Sequence, residues 1–322
     1  MTETMDKIID PIDPKLIERE LTSDRLLRHA NKGDNHLYVV DAHTAPNTML
    51  EIGRIREVAF RGAGGGTGKA YDIDEFDTME QPCRQLIVWD PVAREITGGY
   101  RFILGENIRL DSSGVPHIAT SHMFRFSDRF IKEYLPATLE LGRSFVAPPY
   151  QSSKAGSRAL YTLDNLWDGL GALTVIYPQI EYLFGKVTMY PSYKINCRDL
   201  LLGFLYKHLH DPDGLVRPIT PLATEALSEA VQSRLSGGSF KEDYRILNRA
   251  IRDEGLNIPP LVNAYMALSP TMKVFGTAIN TEFGDVEETG IFLKISEIFE
   301  EKKKRHIGTF TEDPRLTGFH ID

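Results

Sequence analysis

The stretch Thr138 to Arg158, TLELGRSFVAPPYQSSKAGSR, reads as one buried strand, one loop of small residues and one helix start. Leu139, Leu141, Phe145 and Val146 carry the strand, and Pro148, Pro149, Ser152, Ser153, Gly156 and Ser157 carry the loop. Beyond it Ala159, Leu160, Leu163, Leu166, Trp167, Leu170 and Leu173 recur at intervals of three and four, which predicts a helix with one apolar face. A helix N-terminus offers unpaired N–H groups and the positive end of a dipole, so this loop is a candidate cradle for a phosphate group. Glu140 and Arg143 place a carboxylate and a guanidinium beside it.

The rest of the composition narrows the possibilities. With 322 residues, 42% hydrophobic and 25% charged, the chain has the make-up of a globular protein with a full core. A formal net charge of −8 argues against a general nucleic-acid binder. Two cysteines, Cys83 and Cys197, are too few for a disulfide framework or a metal cluster, and no metal site is read from the sequence. The N-terminus lacks the apolar segment of a signal peptide, and no apolar run approaches the roughly 18 residues needed to span a bilayer. The expected location is the cytoplasm, with contact to the inner face of the membrane left open.

Around the opening stretch, regular elements are expected at His36–Val40 (strand) and after Asn47, taken as the cap of a helix with Leu50, Ile52, Ile55, Val58 and Ala59 on its apolar face. Arg61–Gly68, with five glycines in its last seven residues, is expected to lack regular structure, as a flexible linker or as a lid. Arg84–Trp89 and Ile96–Leu104 predict an antiparallel hairpin. Tyr182–Tyr190 predicts a strand, Cys197–Leu209 an apolar helix, and Lys273–Ala278 and Gly290–Lys294 further strands. The polar stretch 211–256 is expected to be a helical insertion.

At this point the residues carry a resemblance. Arg56 and Phe60 on a helix, Asp74-x-x-Asp77, Tyr100-Arg101 on a strand and Glu140-Leu141-Gly142-Arg143 on another follow the order seen in acyl-homoserine lactone synthases, which are GNAT-type acyltransferases. Phe184-Gly185-Lys186-Val187-Thr188 after Trp167-Asp168-Gly169-Leu170 is more similar to the ornithine-lipid and glycine-lipid N-acyltransferases, the "putative hemolysin" group. The run Gly53-Arg54 to Gly68 most resembles the bacterial glycine N-acyltransferases. The resemblance covers residues 35–210 and, more weakly, 258–295. It implies an α+β fold: a GNAT-like, mixed but mostly antiparallel central sheet flanked by helices, in a single domain over 1–322 with the insertion at 211–256.

The same resemblance implies roles. Gln151-Ser152-Ser153-Lys154-Ala155-Gly156 matches the first and last positions of the GNAT pyrophosphate loop, with Lys154 where an inner glycine is usual. With Val146, Ser157, Arg158 and Asn196, those residues are expected to bind the 4'-phosphopantetheine of an acyl carrier protein or acyl-CoA. Lys154 and Arg158 would suit an acidic carrier surface. Glu140 is expected to take the proton from the attacking amine, directly or through a water. Because Glu140 and Arg143 differ by three, strict alternation would put them on opposite faces; a bulge at Gly142 would bring both to the cleft. Strand N–H groups freed there would serve the oxyanion. Arg101 and Arg143 either orient Glu140 or bind an acceptor carboxylate. Arg56, Phe60, Asp74 and Asp77 form the expected acceptor site, the aspartates holding an ammonium or bracing Arg56. Gly203 stands where GNAT enzymes place a tyrosine, so Tyr193 or Tyr206 would have to protonate the leaving thiolate if help is needed. Phe145, Val146, Leu163, Trp167, Leu201 and Phe204 are candidates for an acyl channel.

The expected function is transfer of a 3-hydroxyacyl chain from acyl carrier protein to the α-amine of an amino acid, glycine before ornithine. An acetyl-CoA-dependent acetyltransferase, an acyl-homoserine lactone synthase and a catalytically silent binder on the same scaffold are the rivals.

Overall fold

The computed structural model describes residues 5–151 and 157–311, without the side chains of 157–160 and 311. In chain order the strands are β1 (Leu26–His29), β2 (His36–Val40), β3 (Arg84–Asp90), β4 (Glu95–Leu104), β5 (Phe124–Phe126), β6 (Thr138–Val146), β7 (Tyr182–Met189), β8 (Val216–Pro218), β9 (Lys273–Asn280) and β10 (Val286–Lys294). The helices used below are α1 (Pro14–Glu20), α2 (Pro46–Gly62), α3 (Glu75–Thr78), α4 (Ser157–Ile176), α5 (Ile195–Leu209), α6 (Glu229–Gln232), α7 (Phe240–Asp253) and α8 (Pro260–Met266). The chain gathers into two compact units: residues up to 107, 139–180 and from 300 in one, 108–138 and 181–299 in the other. Each strand pairing described within either unit is antiparallel, and helices flank the strands, which is the expected fold class.

In the first unit the strands run β1-β2-β3-β4-β6. One face takes α4. A Cβ on Gly169 of that helix would meet Leu37 and Leu86 at 2.7 Å, and one on Gly98 of β4 would meet Thr162 at 2.8 Å, so glycine permits this close approach. The opposite face takes α2, whose Met49, Ile52, Ile55, Ala59 and Phe60 are buried along with the charged Glu51, Arg56 and Glu57. Leu50 and Val58, expected on the apolar face, are only half-buried.

Two details differ from the sequence expectation. Asn47 does not cap α2: the N-cap position is Ala45. The carboxylate of Glu20, at the end of α1, accepts from the Asn47 and Thr48 N–H groups at 3.0 and 2.7 Å, and Asn47 itself donates to Glu20 at 2.6 Å. A charged acceptor from another helix satisfies two end N–H groups and complements the dipole better than a local amide. The glycine-rich run, in turn, is not a free linker but is tied to a buried carboxylate. The buried Glu57 carboxylate accepts from Thr67 N (3.0 Å), Thr67 Oγ1 (2.8 Å), Gly68 N (2.9 Å) and Arg61 Nε (3.0 Å). Gly64, Gly66 and Gly68 supply the positive φ angles this wrap requires. Backbone bonds from Asp6 N to Gly68 O and from Ile9 N to Ala70 O then lay the N-terminal segment along the loop.

Glu57→Leu is therefore expected to strand several N–H donors and to destabilise the fold by about 3 kcal/mol, at about 1–3 kcal/mol for a buried donor left unpaired. Urea unfolding measures it, with new protease cleavage at 62–68 as the local sign; an unchanged midpoint would contradict the clasp.

In the second unit β7, β10 and β9 pair in that order. Phe130, Phe184, Phe275 and Phe292 cluster together, with ring centroids 5.5 to 6.2 Å apart. Tyr206 on α5 meets Thr277 of β9 at 2.8 Å. The 211–256 stretch lies in this unit and contributes β8, which pairs with β5, as well as α6 and α7. In α7, Leu247 and Ile251, four apart, are buried on one face, and Ser239 caps the helix by accepting from Glu242 N.

Candidate active site

The site is built where β6 meets β4. Glu140 pairs with Ile103 and Gly142 with Arg101, whereas Phe145 pairs with Gly99; Arg143 and Ser144 together therefore oppose the single residue Tyr100. That is a β-bulge, and Arg143 adopts a left-handed φ of +45° within it. The bulge thus falls one residue beyond Gly142, because the arginine takes the left-handed conformation and the glycine stays in register. Directly paired residues share a sheet face, so Glu140, Gly142, Arg101 and Gln85 lie together on the side that α2 covers.

Charged partners then converge. The segment after the glycine loop is tied to α2 by the Asp72 N–H, which donates to Gly53 O at 2.9 Å, and Asp74 and Asp77 form a capping box on α3. Arg56 donates to Asp77 at 3.2 Å and to Gln85 Oε1, and Gln85 Nε2 donates to Asp77 at 2.9 Å. Arg101 reaches Asp74 at 2.6 Å and Asp77 at 3.2 Å and lies over the Phe76 ring at 5.7 Å. Arg143 reaches Asp72 at 2.8 Å and Asp74 at 3.4 Å. Arg56, Asp72 and Asp77 are sealed from solvent, while the side chains of Asp74 and Arg143 are 27% and 12% exposed, so the cluster opens at that edge.

Protonation follows from this packing. Burial alone would raise the Asp77 carboxyl, but Arg101 and Arg56 outweigh it and hold Asp77 well below the usual carboxylate range. Arg101 is likewise raised, against its burial, by Asp77 and Asp74. Arg56 is lowered by burial, with Arg101 and Arg143 adding to it and Asp77 and Asp72 opposing. The Cys83 thiol, buried and within the fields of Arg101, Glu140, Asp77 and Asp74, is pushed up to about 12, so it is no nucleophile. Three guanidinium groups stand against the four carboxylates of Asp72, Asp74, Asp77 and the buried Glu140. One formal negative charge is left over.

A family model described as an acetyltransferase (GNAT) domain matches residues 55–160, the span that holds every residue of this cluster. A curated glycine N(alpha)-acyltransferase of Bacteroides thetaiotaomicron is 60% identical over 308 residues, covering 96% of this chain and 91% of that protein. The chain belongs to the glycine N(alpha)-acyltransferase family. A second member, from Phocaeicola vulgatus, is 57% identical over 308 residues, 96% of this chain and 94% of its own. Among solved structures, a CoA-dependent acyl-homoserine lactone synthase bound to MTA is similar at a TM-score of 0.37 and 9% identity, over 85% of this chain and 90% of that one. The family model and the two curated relatives make the protein an N-acyltransferase of GNAT type.

Of the residues singled out in the sequence of this family member, Arg56, Asp74, Asp77, Arg101, Glu140 and Arg143 come together as described, and Phe60 is buried on α2. Val146 ends β6, and its carbonyl accepts from Gln151 Nε2 at 2.6 Å. Ser153, Lys154, Ala155 and Gly156 lie outside the described residues, as do the side chains of Ser157 and Arg158, whose backbone opens α4. Asn196 belongs to the second unit, where its side chain accepts from Cys197 N and donates to Glu254 at 3.3 Å. Tyr193 and Tyr206 are in that unit too. Their hydroxyls meet Asn257 O and Thr277, and burial pushes Tyr193 up to about 12 and raises Tyr206. Phe145 covers Gly99, Leu163 and Trp167 lie on α4, and Leu201 and Phe204 are buried on α5.

Asp72 and Gln85 are the cluster members that sequence reasoning missed. Asp72 stands two residues before the noted Asp74, and Gln85 follows Arg84 at the start of β3, ahead of its apolar run Leu86–Trp89. A polar residue at the start of such a strand is a weak signal that it faces a buried charge.

Proposed function

We propose that this protein transfers an acyl group from a thioester donor to the α-amine of glycine, with Glu140 as the general base. The observation that supports the reading is the cluster of four carboxylates and three guanidinium groups, which opens to solvent at Asp74. Such a site favours a small cation, and an amino acid's ammonium is one. Asp74 holds the ammonium at the open edge, and Asp72, Asp77, Arg56 and Gln85 keep Arg101 and Arg143 in place around Glu140. Glu140 removes a proton, the amine nitrogen forms a bond to the thioester carbonyl carbon, and the bulged β6 backbone donates to the oxyanion. The tetrahedral intermediate gives up the nitrogen's second surplus proton to bulk water at the open edge and collapses with loss of the C–S bond, the sulfur keeping the electron pair. A thiol with a pKa near 8.5 leaves as thiolate without an acid, so Tyr193 and Tyr206 are not required.

Glycine is favoured because the curated relatives are named for it, with ornithine second. The donor is taken to be a 3-hydroxyacyl acyl carrier protein, its phosphopantetheine held by the loop after β6. The product is an N-acyl amino acid, a precursor of aminolipids. Among the described residues no helix is long and apolar enough to cross a membrane, so delivery of that product would rest on peripheral contact.

Mass spectrometry after incubation with 3-hydroxyacyl carrier protein, or in parallel acetyl-CoA, and with glycine and ornithine tests this. N-(3-hydroxyacyl)glycine is the expected product; acetylated products alone would overturn the donor, and acyl-ornithine alone the acceptor.

A further inference from the structure

Helix α7 of the second unit carries Lys241, Arg245, Arg249 and Arg252, spaced by four, four and three residues, and each of them is exposed. At about 100° per residue they fall within an arc of about 80°, so they form one stripe along the helix. None of them makes an ion pair or a side-chain hydrogen bond among the described residues. The carboxylates of α7 are placed elsewhere. Asp243 is buried and takes Lys207 Nζ and His208 Nε2 at 2.8 Å each, Glu242 accepts the Ser239 hydroxyl at 2.9 Å, and Glu242 and Asp253 stand just past one edge of the arc. Like charges three and four apart repel along a helix. In a chain of net charge −8 the stripe is thus a local reversal of sign that its own neighbours leave unneutralised.

The opposite face of α7 is occupied: Leu247 and Ile251 are buried within the unit, so the helix cannot sink into an apolar phase. What it offers is a charged strip about 16 Å long, at 1.5 Å per residue. On the side of the strip away from Glu242 and Asp253, Phe240 is 36% exposed, and Phe299, which lines the same cavity as Phe240, is 42% exposed. Cations beside exposed aromatic rings, with the carboxylates on the far flank, match the surface of an anionic bilayer. Phosphate-bearing headgroups supply the counter-charge, and aromatic rings settle at headgroup level. An acidic protein would also meet the cations, but it would have to cover the two rings with an apolar patch of matching shape. Headgroups diffuse, and so adjust to any spacing of cations.

We propose that the cationic face of α7 docks this protein on a bilayer surface that carries anionic lipid. The test is flotation of the full-length protein with vesicles of phosphatidylglycerol and phosphatidylcholine in equal parts, against vesicles of phosphatidylcholine alone. Binding to the first and not to the second is expected, with loss of binding as salt is raised, because surface attraction is screened beyond a Debye length. Arg245→Gln/Arg249→Gln should weaken it about 25-fold, at about fivefold for each cation near the surface. Both side chains are exposed, so the unfolding midpoint should not move. Lys7→Gln/Lys69→Gln, at exposed lysines of the first unit, removes the same charge and should leave binding within about twofold of wild type, since cations away from the contact are screened. No binding to the anionic vesicles, equal binding to both kinds of vesicle, or equal weakening in the two double variants would overturn the proposal. Capture by apo acyl carrier protein that the α7 variant loses, with no vesicle binding, would also overturn it and give the stripe to an acidic protein. Neither substrate nor turnover is involved, so failure here leaves the acyl-transfer reading untouched.

Discussion

Glu140→Gln is expected to lower kcat/KM for glycine acylation about 10²–10⁴-fold, the usual contribution of a positioned general base. The substitution keeps the side chain's size, in a strand where Glu140 is paired in register with Ile103 and buried. The fold should therefore survive, with an unchanged unfolding midpoint, so that a loss of rate reports chemistry. Asp74→Asn should act differently, raising the KM for glycine more than it lowers kcat, because Asp74 is the exposed carboxylate at the open edge. A wild-type rate in Glu140→Gln would remove the base assignment while leaving the N-acyltransferase family membership intact.

The second large effect is on stability. Asp77→Leu leaves Arg56, wholly buried, with Gln85 as its remaining acceptor among the described residues and removes one of the two aspartates that Arg101 reaches. Breaking a buried ion pair by deleting one partner destabilises by about 3–5 kcal/mol, because the surviving charge stays desolvated. Urea unfolding should show the midpoint falling with an unchanged slope.

The pH dependence follows in sign from Asp77. Its folded pKa is depressed below the unfolded value of about 3.9, so its contribution is fully present above that range and is lost as pH falls through it toward the folded value. Wild-type stability should thus decline below about pH 4 more steeply than that of Asp77→Leu, which has no such proton to bind. Parallel acid limbs in the two proteins would show that Asp77 carries no linkage.

Much of this was legible in local pattern. The strand and helix on either side of the loop after Val146, the β3–β4 hairpin and the closing strands follow from apolar period and from turn residues, which act within a few positions of themselves. Glu140, Arg101, Arg143, Asp74 and Asp77 were found as an ordered series of motifs. What stayed hidden was decided at long range. The cap of α2 comes from Glu20, 27 and 28 residues away from the N–H groups it receives. The glycine-rich run looked unstructured because no local signal shows that Glu57 turns inward to collect its amides.

By itself the sequence determined the mostly antiparallel α+β fold class, because alternation and helical period are properties of contiguous residues, and it singled out the acids, bases and donors from which the candidate site is built. Tertiary structure decided the rest. It placed the bulge at Arg143 rather than Gly142, brought Asp72 and Gln85 into the cluster, and matched three arginines to four carboxylates with one edge open. The physical reason is that the charge state and solvent access of a buried group depend on partners delivered by other strands and helices, and sequence separation carries no record of which of them will meet.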